Sequence, residues 1–285
     1  DPEIPLAPKQ NLIEEESEKS SSNIALQESL AEKNGKGSLK FDKVFFCYQN
    51  AKEYAVCDIS FQARPGEITA IIGSTGSGKT TLINLIPRFY DVTKGNILIN
   101  NVDIRDISQE DLHEMIGLVP QKATLFTGSV IENISFGNNN NQLTREEIKR
   151  VAEIAQAAGF IERMPEGYDS LIAQGGRNLS GGEKQRLSIA RALARHPDIY
   201  IFDDSFSALD FKTESRLREA LKNEIKDKIV LIIAQRVTTV MGAEQIIVLD
   251  KGRIVGIGPH HTLIRTSKVY REIVSSQLSE EVLYE

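Results

Sequence analysis

Gly73-Ser74-Thr75-Gly76-Ser77-Gly78-Lys79-Thr80 places a lysine and a hydroxyl directly behind a glycine-rich turn, with Thr81 next in line. The spacing is G-x-x-x-x-G-K-[ST], and the chemistry it suits is polyphosphate binding. Glycines let backbone N–H groups turn inward around a phosphate, and a helix beginning at the lysine adds the positive end of its dipole. Lys79 reaches the β- and γ-phosphates of a nucleotide, and the Thr80 hydroxyl is a ligand for Mg²⁺.

A second acidic element narrows the chemistry. Ile199-Tyr200-Ile201-Phe202 is a strand-like run that ends in Asp203, placed to hold Mg²⁺ through water beside Thr80. A third element is Leu179-Ser180-Gly181-Gly182-Glu183, ahead of a stretch with Leu187, Ala190 and Leu193 at helical spacing. Ser180 and two glycines at a helix N-terminus form a second phosphate nest. Ser180-x-x-Glu183 is also a capping box, and the two roles use the same exposed N–H groups.

The elements that must carry these residues read as alternating strands and helices. Runs at 67–72, 199–202, 229–233 and 246–249 are apolar and β-branched, as central strands buried on both faces should be. Helices are expected over 80–89, 145–158, 183–195 and 213–226. The alternation predicts an α/β fold with a mainly parallel sheet.

On these motifs, residues 38–277 resemble the nucleotide-binding domain of ABC transporters, whose signature is LSGGQ. Four further features match in order. Tyr48 sits where the family stacks an aromatic ring on adenine. Gln121 sits where its Q-loop glutamine touches Mg²⁺ and the attacking water. Gln174-Gly175-Gly176-Arg177 matches the exporter X-loop, and Ser207-Ala208-Leu209-Asp210 the D-loop. The run 126–134 looks like that of ABC exporters.

The resemblance implies a P-loop NTPase core, an N-terminal antiparallel β subdomain and an inserted α-helical subdomain (about 122–195) carrying the signature. It implies ATP and Mg²⁺ as ligands. Two such domains would close head to tail around ATP, and the dimer would drive attached transmembrane domains from the cytoplasmic face of the cell membrane.

Three residues depart from the family pattern. Asp204 stands where a catalytic glutamate is usual, so its carboxylate arm is one methylene shorter. A misplacement of about 1 Å can lower a rate ~100-fold. Gln235 stands where a switch histidine is usual; it can bond a γ-phosphate but cannot become cationic. Glu183 replaces the signature glutamine and adds a negative charge near an incoming γ-phosphate, unless its capping role turns it away.

These departures predict retained ATP binding with slowed hydrolysis, as in the degenerate-site subunit of a heterodimeric ABC exporter. The signature of such a subunit would complete the competent site of a different chain. The alternatives are a competent homodimeric exporter ATPase and an ATP-dependent clamp with little turnover.

Composition excludes other classes. The chain has 285 residues, 40% hydrophobic, enough to bury a sizeable core, and its net charge of −6 argues against nucleic acid as a partner. No apolar run approaches the ~18–20 residues of a bilayer span. Cys47 and Cys57 lack metal-site spacing, and the four histidines read as surface or helix-end residues. Residues 1–37 hold eight acids, four lysines and three prolines without an aromatic, and carry −4 of the net charge. They are expected to be a linker from a missing upstream membrane domain, and 278–285 a short tail.

Overall fold

Leu39 and Phe41, and after a register shift Val44 and Phe46, are buried between more accessible neighbours, two stretches of strand period with one face on a core. They lie in β1 (Leu39–Phe46) of a computed structural model that describes residues 37–138 and 143–278. The segment expected as a linker and the C-terminal tail lie outside the described residues, except for Gly37 and Leu278.

The chain continues through β2 (Val56–Ala63), β3 (Ile68–Gly73), α1 (Lys79–Asn84), β4 (Lys94–Ile99), β5 (Val102–Asp103), α2 (Gln109–Glu114) and β6 (Ile116–Val119). A mostly helical stretch follows: β7 (Gly128–Ser129), α3 (Val130–Ser135), α4 (Arg145–Ile154), α5 (Ala158–Ile161), β8 (Leu171–Ile172) and α6 (Gly181–Ala194). The remainder is β9 (Ile199–Asp203), α7 (Phe211–Glu224), β10 (Ile229–Ile233), α8 (Val237–Val240), β11 (Gln245–Asp250), β12 (Arg253–Gly258), α9 (His260–Thr266) and α10 (Lys268–Ser275).

The main sheet has the order β12-β11-β3-β10-β9-β6, and only its β12 edge runs antiparallel to its neighbour. A second, antiparallel sheet has the order β2-β1-β4-β5. The strands of the main sheet feed two cores in alternation. In β9 and β10, Ile199, Ile201, Ile229, Leu231 and Ile233 pack toward the antiparallel sheet and α1. Tyr200, Phe202, Val230 and Ile232 pack toward the helical side. Burial on both faces is why these strands read as unbroken apolar runs.

This matches the architecture that the resemblance implies: a mainly parallel sheet, antiparallel N-terminal strands, and an inserted, mostly helical stretch that includes 179–183. Two helices end earlier than their patterns predict. The expected 80–89 helix stops at Asn84; Ile86 precedes a proline, which disfavours helical backbone, and Arg88 lies at φ 55°. The expected 145–158 helix breaks after Ile154, where Gln156 turns left-handed at φ 57°. There Ala157 N–H donates to Ala152 O at 2.7 Å and Gln156 N–H to Glu153 O at 2.9 Å, a Schellman closure with glutamine in the position glycine usually fills.

Candidate functional site

β3 delivers the chain to the phosphate loop between its two parallel neighbours, β10 and β11. Gly76 and Gly78 take φ values of 80° and 100°, which side chains with a Cβ rarely adopt. Gly78 is the N-cap of α1, and a Cβ there would sit 2.9 Å from Ala55 O. A Cβ on Gly73 would meet Leu249 O at 2.2 Å. The loop is therefore a backbone cradle with no room for a side chain at Gly73 or Gly78, while Gly76 has open space and is fixed by its backbone angle alone.

Lys79 lies across this cradle. Its Nζ donates to Gly73 O and Ser74 O, both at 2.8 Å, and to Ser77 Oγ at 3.4 Å. Among the described residues it forms no ion pair. Burial holds its ammonium below the usual lysine range, against the pull of Asp203 and Asp204. Ser74, Thr75, Gly76 and Thr80 are exposed, whereas Ser77 is buried and accepts the N–H of Gly252 through its carbonyl at 3.0 Å.

Tyr48 stands at the edge of the cradle. Its hydroxyl shares a 2.9 Å hydrogen bond with Thr81 Oγ1, and its ring meets Phe46 and Tyr90 edge-on at 4.8 and 5.3 Å. The residue remains 37% exposed, so a planar base has access to it.

Asp203 and Asp204 follow one another at the end of β9, both buried. Burial first, then the neighbouring Asp204 carboxylate, push the Asp203 carboxyl up to about 6, while Lys79 pulls it down. Asp204 has left-handed backbone at φ 47°, with its N–H bonded to Ile233 O at 2.8 Å. Its Oδ2 accepts from Gln121 Nε2 at 3.2 Å and Gln235 Nε2 at 3.1 Å. Gln121, Asp203, Asp204, Gln235 and Lys79, distant in sequence, thus form one cluster. Two adjacent carboxylates facing a single ammonium leave a negative excess, which fits a divalent cation held beside bound polyphosphate.

The signature residues take the other role foreseen for them. Ser180 caps α6: Glu183 N–H donates to Ser180 Oγ at 3.3 Å, and Glu183 Oε2 accepts from Ser180 N and Oγ, each at 2.8 Å. The Glu183 charge is folded back onto the cap. Leu187, Ala190 and Leu193 are all buried, as the helical spacing predicts. Leu179 packs against the helical core, Gly181 has open space around it, and a Cβ on Gly182 would lie 3.2 Å from Ala208 O. Among the described residues no hydrogen bond joins 179–183 to the phosphate loop.

In the 207–210 segment, Ser207 Oγ donates to Asp204 O at 2.7 Å and Leu209 is buried. Ala208 is exposed. Asp210 caps α7, accepting from Thr213 N at 3.0 Å and Thr213 Oγ1 at 2.7 Å, which lowers its carboxyl from the usual range.

Sequence reasoning missed two supporting glutamines. Gln185 Nε2 donates to Pro120 O at 3.0 Å and so ties α6 to the residue before Gln121. Gln277, just past α10, donates from Nε2 to Gln235 O at 2.8 Å and accepts Val237 N–H at 2.9 Å. No local motif marks either residue; only the fold brings them to the site. The cysteines are free, and no cluster of metal-ligating side chains occurs among the described residues. His113 and His260 bond Pro87 O and the Tyr270 hydroxyl, away from the carboxylate pair.

Comparison with known proteins points one way. The family model described as ABC transporter matches residues 56–207. An uncharacterised ABC transporter ATP-binding protein of Mycobacterium tuberculosis is 43% identical over 242 residues, 85% of this chain and 41% of its own length. The ABC transporter ATP-binding protein YfiB of Bacillus subtilis is 44% identical over 86% of this chain and 42% of its own length. An ATP-dependent lipid A-core flippase of Haemophilus influenzae is 40% identical over 86% and 41%. The solved structure of a bacterial Atm1-family ABC exporter with ATP bound superposes with a TM-score of 0.81 at 37% identity, covering 85% of this chain and 42% of that one. The chain thus spans about two-fifths of the length of these relatives.

Proposed function

The chain belongs to the ABC transporter family, and on that premise we propose that it is the ATP-binding motor of an exporter whose own catalytic site turns over slowly. No helix among the described residues is long and apolar enough to cross a membrane. From the family, the proposal places the motor beside transmembrane domains, at the cytoplasmic face of the cell membrane. The exporter reading is supported by the likeness to flippases and to an exporter structure.

In the proposed reaction, Tyr48 stacks on adenine while the N–H groups of 73–81 and Lys79 hold the phosphates. Thr80, Gln121 and, through water, Asp203 would hold Mg²⁺, which would supply neutralisation of phosphate charge. Asp204 would orient the attacking water, and Gln121 and Gln235 fix its carboxylate. The signature of this chain, Leu179 to Glu183, would complete the site of a second nucleotide-binding domain across a head-to-tail interface, with Ser207 to Asp210 at the same interface.

One observation carries the slow-site reading. The carboxylate after Asp203 is a short aspartate, held by two neutral amides, and among the described residues no imidazole bonds it. An amide that donates to this oxygen competes with water for it and brings no positive charge to the developing γ-phosphate. The partner is therefore proposed to be a different chain that retains glutamate and histidine at these positions.

The test is steady-state ATPase of the full transporter. Asp204→Ala in this chain should leave most turnover intact, whereas mutating the partner's catalytic glutamate should abolish it. The reverse pattern would sink the proposal, and robust ATPase from the full-length chain alone would favour the homodimer.

A further inference from the structure

Arg163, Arg186 and Arg216 face one open cavity of about 350 Å³, away from the carboxylate pair and the phosphate loop. The cavity lies between α5, α6 and α7, and Glu153, Phe160 and Thr213 also line it. Among the described residues none of the three guanidinium groups forms an ion pair. By contrast, Arg145, Arg150 and Arg218 each meet a carboxylate within 2.7 Å.

Arg186 is the most constrained of the three. Its guanidinium carbon lies 5.1 Å from the centroid of the Phe160 ring, and its Nε is buried without a hydrogen-bond partner. Burial pulls the guanidinium below the usual arginine range; Glu183 and Asp210 attract it from beyond ion-pair distance, and Arg163 repels it more weakly. A half-buried cation whose Nε lacks a hydrogen-bond partner is unfavourable by itself. An anion seated in the cavity offsets that cost.

We infer that this cavity binds a small phosphorylated anion at a site separate from the phosphate loop. Arginine forks match phosphate oxygens in bidentate geometry, and the volume falls in the ~300–1,000 Å³ range of small-ligand pockets. Arg186 already covers the Phe160 ring, so no free aromatic face remains for a base, and recognition rests on the phosphates. Glu153 on the rim restricts the anion to the arginine side. The occupant is a soluble di- or polyphosphate moiety.

The consequence is mechanical. α6 begins at the signature, and α7 begins at Asp210, the end of the 207–210 segment. An anion bridging Arg186 and Arg216 would fasten these two helices together and link the signature element to the core.

The experiment uses the full-length protein with its phosphate loops saturated by Mg²⁺ and a non-hydrolysable ATP analogue. Inorganic pyrophosphate is titrated by calorimetry at constant ionic strength, with sulfate as the reference anion. Saturable binding stronger than that of sulfate is expected, weakened at least tenfold by Arg163→Glu/Arg216→Glu with nucleotide affinity unchanged. If that pair unfolds the protein, Arg163→Gln/Arg216→Gln is used and should weaken pyrophosphate severalfold. Binding no stronger than sulfate, or equal affinity in the variants, overturns the inference. So does arginine-dependent sedimentation with phosphatidate vesicles without pyrophosphate binding.

Discussion

Gln235 donates a 3.1 Å hydrogen bond from Nε2 to the Asp204 carboxylate, on the same Oδ2 that Gln121 reaches at 3.2 Å. One carboxylate oxygen is thereby shared by two amides, and among the described residues no histidine bonds it. Asp204→Glu with Gln235→His should therefore raise ATPase at this site by roughly 10–100-fold, measured with the partner site inactivated. Asp204→Glu alone should give less, because a longer carboxylate without a cation leaves the γ-phosphate charge unanswered. The left-handed backbone of Asp204 adds a cost to glutamate, since Asp tolerates positive φ better. That cost should appear as a lower melting temperature of the single variant. An unchanged rate in the double variant would remove the basis for the slow-site reading.

Gln277 predicts a local effect on this arrangement. Its amide grips Gln235 O and Val237 N–H, 42 and 40 residues away. Gln277→Ala should speed amide exchange at Val237 by more than tenfold, while global stability falls by no more than about 1 kcal/mol. Hydrogen-exchange mass spectrometry over 234–240 checks it; protection equal to wild type would mean that α8 holds the switch region by itself.

The parts of this molecule legible in the sequence were those encoded by neighbours along the chain. Two-sided burial wrote β9, β10 and β11 as apolar runs, and the phosphate loop announced its own backbone geometry through Gly76 and Gly78. What was not legible depended on contacts made only after folding. Gln156 takes a glycine-like conformation, so the end of α4 carries no compositional mark. Gln185 and Gln277 act through side-chain amides aimed at distant main chain, and surface glutamines look alike until the fold places them. The arginine cavity draws Arg163 from the turn after α5, Arg186 from α6 and Arg216 from α7, and no local pattern links the three.

Asp203 predicts a pH-dependent stability. Its carboxyl is raised to about 6, so between its unfolded value of ~3.9 and about 6 the folded chain binds more protons than the unfolded one. Stability contributed by this group is present at the acid end and is lost as pH rises through about 6. Without divalent cation at pH 7.5, Asp203→Asn should stabilise the chain by roughly 1–2 kcal/mol, and the difference should vanish by about pH 4. Added Mg²⁺ with nucleotide should reverse the order, because the carboxylate then has a partner. Denaturant midpoints at both pH values check this; a pH-independent difference would trace the effect to packing.

The capping box separates the two roles of the signature. Glu183 spends its carboxylate on Ser180 N and Oγ, and the cap needs an acceptor at this position that glutamine also supplies. Glu183→Gln should leave stability within about 0.5 kcal/mol and strengthen ATP-dependent pairing with the second domain, because one negative charge near its γ-phosphate is removed. Ser180→Ala should lower stability by about 1 kcal/mol and also weaken pairing, since it deletes both the cap acceptor and the hydroxyl proposed to meet the partner's nucleotide. Chemical denaturation of the chain and ATP-dependent cross-linking of the assembled transporter give the two readouts. If Glu183→Gln leaves pairing unchanged while Ser180→Ala abolishes it, the glutamate charge is already screened by the cap, and the signature of this chain is electrostatically equivalent to one ending in glutamine.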